Sequence, residues 1–248
     1  SGPVLTVSLN RPEVRNAQTP AMWRALAAVG RAVEPDVRVV VVRGNGDSFS
    51  AGLDRAMLSP EGIEGETSFP ELAALDDASF DAAVAEFQEA FAWLRDPRFV
   101  SVVAVQGHAV GAGFQLALAC DLRVVTTDAR FCMRETALGL VPDLGGTKPL
   151  VDAVGYGRAL EICATSRWVA APEAAELGLA TIVVERGDLD AAVGDLADAL
   201  TAPTHDSVTA VKALLQGADA RTYEEQRAAE RVAQADRMRV LVRRLTHT

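Results

Sequence analysis

Val105-Gln-Gly-His-Ala-Val-Gly-Ala-Gly-Phe-Gln-Leu-Ala-Leu-Ala-Cys-Asp121 carries the chain from a β-branched strand through a glycine cluster into a helix with no polar face. The run before it, Ser101-Val-Val-Ala-Val105, reads as a strand buried on both faces, since parallel strands covered by helices are near-continuously apolar. A helix opening at Gly111-Ala-Gly113 leaves its first N–H groups without partners inside the helix. Such a start favours developing negative charge. A glycine cluster ahead of a helix also fits a dinucleotide site or plain tight packing. The dinucleotide reading lacks the GxGxxG spacing after a first strand and a suitably placed acidic ribose partner.

Outward from this stretch, Val37–Val42 and Leu122–Thr126 repeat the buried-strand signature, and Val4–Leu9 is a short β run closed by Asn10-Arg11-Pro12. Thr19-Pro20 starts a helix with a capping residue and a first-turn proline; Met22, Leu26, Val29 and Val33 recur at helical spacing until Pro35. Residues 55–79, rich in Gly, Glu, Ser and Pro, read as a long mobile surface loop beside Asp54. A second helix follows with Phe80, Val84, Phe87, Phe91 and Leu94 on one face. Beyond Gly155 the pattern turns helical over 159–165, 172–177, 189–200, 207–215 and 222–245, interrupted by a strand over 179–184. The fold class is α/β, with crossover units around a parallel sheet in residues 1–187 and a helical region, 188–248, that covers the core or mediates assembly. No internal repeat or low-complexity segment is visible in the sequence.

A chain of 248 residues, 49% hydrophobic and 23% charged, suits one large globular α/β domain. No run approaches the roughly 18 apolar residues of a membrane span, and no basic-then-apolar leader precedes the first strand. Cys120, Cys132 and Cys163 sit in apolar surroundings and read as reduced core thiols. Together these features lead to the expectation of a cytoplasmic protein with no membrane partner. A net charge of −10 argues against nucleic-acid binding, although a local basic patch suffices for a phosphorylated small ligand. The same charge also fits a solvated acidic surface.

Two further segments carry candidate chemistry. Ser48-Phe-Ser-Ala-Gly-Leu-Asp54 follows the Val37–Val42 strand, and its small residues let backbone approach a ligand closely with an outward N–H. It also fits an ordinary strand-to-helix turn. Phe131-Cys-Met-Arg-Glu-Thr-Ala-Leu-Gly-Leu-Val-Pro-Asp-Leu-Gly-Gly-Thr147 sets Glu135 and Asp143 among apolar residues. Burial there would raise a carboxyl pKa and suit it to general acid–base work. Equally, Glu135 can pair with Arg134 and cap a short helix.

In this order, with Leu9-Asn-Arg-Pro-Glu-Val-Arg-Asn-Ala17 before and Ala170-Ala-Pro-Glu-Ala-Ala-Glu-Leu-Gly-Leu179 after, the three segments resemble the crotonase superfamily, the enoyl-CoA hydratase/isomerase family. The resemblance covers the chain to about residue 215. It implies a crotonase-like (ββα) spiral core with a helical C-terminal trimerisation region. It implies that the backbone N–H groups of Leu53 and Ala112 form an oxyanion hole for a thioester enolate. The coenzyme A arm would pass Ala51, Gly52, Asp54 and the Asn16-Ala17 loop, with Gly111 bordering the site and Arg11 or Arg15 near the phosphates. Those arginines can equally be solvated. Coenzyme A would arrive as part of the substrate, with no permanently bound cofactor. No His/Cys/Asp cluster has metal-ligand spacing.

Hydratases that the chain resembles use two glutamates to activate water. Glu135 matches the second; the first falls on Gln115, which takes up no proton at neutral pH. The resemblance then points to an isomerase-type proton shuttle by Glu135, with Asp143, eight residues on, as auxiliary acid, as in dienoyl-CoA isomerases. Those isomerases also carry an acid where Gln115 stands. The alternatives are a weakened hydratase or another crotonase reaction, and a non-catalytic acyl-CoA-binding protein. His108 reads as structural, and His205 and His247 show no partner. The family usually closes with a further helix, whereas this sequence ends at Arg243-Arg-Leu-Thr-His-Thr248. The expectation is an open pocket or cover from a neighbouring subunit, in a homotrimer or dimer of trimers.

Overall fold

The computed structural model describes residues 2–246. Eight strands, β1 (Val4–Leu9), β2 (Val39–Gly44), β3 (Val100–Val105), β4 (His108–Val110), β5 (Leu122–Thr126), β6 (Arg130–Cys132), β7 (Val169–Ala170) and β8 (Ile182–Val184), form two sheets. The larger has the order β1-β2-β3-β5-β8 and is parallel throughout; the smaller has the order β4-β6-β7, with β7 antiparallel. Helices α1 (Pro20–Arg31), α2 (Phe69–Ala73), α3 (Asp77–Ala92), α4 (Ala112–Ala119), α5 (Thr147–Val154), α6 (Tyr156–Thr165), α7 (Ala171–Glu176), α8 (Leu189–Thr201), α9 (His205–Gln216) and α10 (Tyr223–Thr246) surround them.

The chain repeats one manoeuvre. After β3 it hops across Gln106-Gly107 into β4 and then α4; after β5 it hops into β6 and a turn leading to α5. After β2 the segment around Ser50 pairs with Ala109 of β4 in the same way, and Gln18, after β1, pairs with Leu53. These are successive turns of a ββα spiral, a structural repeat that leaves no sequence repeat because each turn needs only apolar spacing and a tight hop. At one hop Gly107 has φ +60, and a Cβ there would lie 2.2 Å from the Asp47 carbonyl oxygen, so glycine is required.

Two apolar clusters flank the main sheet. On one face Val40, Val42, Val103 and Val105 meet Trp23 of α1, Phe87 and Phe91 of α3 and Phe114 and Leu118 of α4. On the other face Val39, Val41, Val102 and Val124 meet Leu189, Val193 and Ala197 of α8. The unbroken β-branched runs are therefore covered on both sides. α1 begins as its sequence dictates, with Thr19 accepting from the Met22 N–H at 3.3 Å and Pro20 in the first turn.

Several sequence expectations need correction. Residues 55–79 are not one long loop: α2 lies within them, closed by a capping box in which Ser68 and Glu71 satisfy each other's backbone N–H groups. Phe80 is exposed, so the apolar face of α3 begins further along the helix. β4, β6, β7 and α5 are short or lack a clear period and were not expected. His205 has a partner, the Arg98 carbonyl at 2.6 Å. His247 lies outside the described residues. All three cysteines are free, and burial pushes the Cys120 thiol pKa up to about 12. No helix among the described residues is long and apolar enough to cross a membrane.

Candidate active site

The site is built where the second turn of the spiral presses against the start of α4. The Phe49 and Ser50 N–H groups donate to the carbonyls of Gln106 and His108 at 2.8 and 2.9 Å, and the Val110 N–H donates back to Ser50 at 3.0 Å. On the other edge of this segment, the Gln18 N–H donates to Gly52 at 2.7 Å and the Asp54 N–H donates to Gln18 at 2.8 Å. In such a parallel bridge the residue between the bonded ones turns its own N–H the other way. Leu53 is that residue. Ala112 begins α4, where helix geometry supplies no acceptor. Among the described residues neither N–H has a protein acceptor.

Glycines bring these two donors onto adjoining backbone. A Cβ on Gly52, whose φ is +83, would sit 2.4 Å from the Val110 carbonyl oxygen and 3.5 Å from the Ala112 nitrogen. Gly111 adopts φ +49 and ψ −118, open to glycine alone, and so aims the next N–H. A Cβ on Gly111 would lie 3.3 Å from Glu135 Oε1, so the carboxylate packs over the residue that precedes Ala112.

Glu135 leaves β6 at the head of a short 3-10 turn that ends at Leu138. Its partner is Gln115 rather than Arg134: Gln115 Nε2 donates to Glu135 Oε1 at 2.7 Å. Glu135 Oε2 is buried and has no partner. Burial raises the Glu135 pKa above the usual carboxylate range; the Asp143 charge adds to this, while backbone and Gln115 hydrogen bonds oppose it. Apolar crowding also raises the Asp143 pKa, but that side chain is exposed and water limits the rise. The Asp143 carbonyl accepts from Gln88 of α3 at 2.6 Å, a contact no sequence signal announces. The Gln115 amide oxygen accepts from the Leu144 and Gly146 N–H groups at 2.9 and 3.2 Å, also unforeseen, although the Gly145-Gly146 pair marks a close approach.

The structure separates the remaining expected residues. Ala51 and Gly52 border the donors, and the Ala51 N–H donates to the carbonyl of Arg15 at 2.8 Å. Arg15 is exposed. Arg11 bonds Asp54 at 2.9 Å and the Ala17 carbonyl at 2.7 Å, so it closes the loop over the buried Ala17. The Asn16 side chain points into the protein and braces the loop that the coenzyme A arm is expected to pass. Asn16 is fully buried; its side chain accepts from the Arg11 N–H and donates to the carbonyls of Asn45 and Ser48, each at 2.9 Å. His108 stacks edge-on to Trp168 and approaches Ser48 Oγ at 3.2 Å, a packing role. Among the described residues no group of His, Cys, Asp and Glu could hold a metal ion.

With this geometry in place, comparison with known proteins is informative. A family model described as enoyl-CoA hydratase/isomerase matches residues 1–242. A Bacillus subtilis protein named as enoyl-CoA hydratase/isomerase YngF is 34% identical over 199 residues, 79% of this chain and 71% of the relative. The peroxisomal Δ(3,5)-Δ(2,4)-dienoyl-CoA isomerase of Arabidopsis thaliana is 30% identical over 217 residues, 86% of this chain and 77% of the relative. A Thermobifida fusca protein named as an enoyl-CoA hydratase, solved in complex with CoA, superposes with a TM-score of 0.93 at 44% identity, covering 98% of this chain and 92% of the other. A Thermobifida fusca protein of the same description, 46% identical with a TM-score of 0.92, has been solved with acetoacetyl-CoA.

Proposed function

Because the chain belongs to the enoyl-CoA hydratase/isomerase family, an acyl-CoA enzyme family, we propose that it isomerises enoyl-CoA thioesters by a proton shuttle at Glu135. The thioester oxygen sits between the Leu53 and Ala112 N–H groups. Glu135 Oε2 takes a proton from C2, the charge moves onto the thioester oxygen as a dienolate, and Oε2 returns the proton at C4. Main-chain donors held in advance are worth about 3–4 kcal/mol each at the transition state. Asp143 acts as auxiliary acid at the mouth of the site. The thioester carries its coenzyme A past Ala51 and Gly52 towards Arg15.

One observation carries this reading: the buried, unpartnered Oε2 of Glu135, on a carboxylate that packs over Gly111. Hydration would need a second group to exchange a proton with water. Gln115 offers none, and its amide oxygen is already occupied by two N–H groups. The same proposal includes assembly of copies through α9 and α10 into trimers or pairs of trimers, supported by exposed Val211, Leu215, Val232, Leu241 and Leu245.

The test compares wild type with Glu135→Gln on 3-enoyl-CoA and 2-enoyl-CoA thioesters. Double-bond migration that depends on Glu135 supports the proposal. Water addition to the 2-enoyl substrate at a comparable rate makes the protein a hydratase, and binding without turnover of either makes it a non-catalytic acyl-CoA-binding protein.

A further inference from the structure

Gln115 is buried in the middle of α4, and every polar atom of its amide is used. Its neighbours leave the amide one orientation. Two backbone N–H groups, from Leu144 and Gly146, point at one atom, which must therefore be the oxygen; backbone N–H groups only donate. The nitrogen then necessarily faces Glu135 Oε1, at 2.7 Å. A turn of the amide would set N–H against N–H and leave Oε1 of Glu135 without a donor. Packing closes the remaining freedom, since a Cβ on Gly146 would stand only 2.6 Å from Gln115 Cγ.

Resting on the isomerase reading, we propose that Gln115 is a polarity-locked positioning residue: it keeps Glu135 Oε1 as a permanent acceptor and thereby confines proton exchange with substrate to Oε2. The amide donates to Oε1 whether Glu135 is ionised or neutral, because a neutral carboxyl can carry its proton on the other oxygen. That other oxygen is the buried, unpartnered one. The same amide also ties down the backbone at Leu144 and Gly146, beside Asp143, so one side chain fixes the relation between the two carboxylates. The titratable groups around Glu135 are Asp143 on the following loop, Cys163 on α6 and Cys132 on β6, with Arg134 next in sequence.

Two substitutions test the lock in the full chain. Gln115→Leu removes the donor that favours the ionised carboxylate. The rising limb of the kcat–pH profile should move to higher pH and kcat should fall by up to roughly 10²-fold, the cost of a misplaced catalytic group, with KM changing less. Gln115→Glu supplies the same hydrogen bonds only while its carboxyl is protonated. Isomerisation should survive at low pH and decline as pH rises and the pair loses its shared proton, turning a rising profile into a bell. Carboxyl 13C titration of Glu135 gives a readout that needs no turnover: its midpoint should rise in Gln115→Leu relative to wild type. An unmoved midpoint with unchanged pH profiles, even with a lowered Tm, would overturn the lock. If wild type turns over neither thioester while the midpoint still moves, the isomerase reading fails and the lock stands.

Discussion

The start of α4 and the whole of α10 are both helical, yet the molecule treats them in opposite ways. Every residue of α4 is buried, and glycines at 52 and 113 let neighbouring backbone approach to distances a side chain would forbid. No residue of α10 is buried, and Val232, Met238, Leu241, Val242 and Leu245 are each more than half exposed. The first region has its contacts closed within one chain, which lets two main-chain donors be held ready at no cost during reaction. The second gains little from its own chain, since helix stability in proteins comes mainly from a packed apolar face. On the proposed function, chemistry belongs to the closed region and assembly to the open one.

If the closed region is the chemical one, its removal should be felt in rate before stability. Glu135→Gln should lower isomerisation by about 10³-fold, within the range for a positioned acid–base group. The same change should stabilise the protein at neutral pH. The native carboxyl has a raised pKa, so between the unfolded and native values the native state binds more protons. Stability therefore falls as pH rises through that window, and glutamine abolishes the dependence. Urea titrations of both forms across pH 4–8, chosen as a roughly bracketing range, check the sign. Wild-type kcat should rise through the raised pKa and level off above it.

Ala112→Pro is the sharper incision. Proline is well suited to the first turn of a helix, so α4 should persist while the N–H at this position disappears. We expect about a 10²–10³-fold loss of kcat with retained circular dichroism. A proline variant that keeps wild-type kcat would remove Ala112 from the site.

Lys212 joins the closed region to the helices that follow it. From α9 its ammonium reaches the carbonyls of Asp96 and Phe99 at 2.7 and 2.8 Å and the Asp121 carboxylate at 2.7 Å. Burial lowers its pKa and the Asp121 charge opposes that shift. Lys212→Met leaves the Asp121 carboxylate with only its Ser101 hydrogen bonds and no cation, and should cost on the order of 3 kcal/mol, lowering Tm by roughly 6–12 °C. Adding Asp121→Asn should recover part of the loss, and activity per folded molecule should hold, because this anchor lies outside the catalytic groups.

The same contrast explains what the sequence could disclose. Buried parallel strands such as β2 and β3 announce themselves, because both faces must be apolar and β-branched. The glycine turns were legible because close backbone approach demands glycine, whereas Glu135 stood out by its apolar neighbours and Gln115 only through the resemblance to a family. The two- and three-residue strands of the smaller sheet were not legible, since a period of two needs more length to show. That the Asn16 side chain staples two loops was not legible either, because an asparagine in a loop carries the same letter whatever its side chain bonds. The lock at Gln115 depends on N–H groups of Leu144 and Gly146, and main-chain direction leaves no mark on residue identity.

Removing α10 should have the smallest effect on the folded core and the largest on assembly. Its ties to the rest of the chain run chiefly to α9, as in the Arg237–Asp206 pair at 3.0 Å, half exposed and worth at most about 1 kcal/mol. A chain ending at Arg221 should therefore keep its cooperative melt with Tm lowered by no more than a few degrees. Sedimentation should shift from an assembled species to a smaller one, because the exposed Leu241 and Leu245 no longer find a second copy. If α10 instead folds against its own core in solution, truncation would collapse Tm and leave the sedimentation of the intact chain that of a monomer. That pair of results would erase the contrast between the two helices and take the assembly proposal with it.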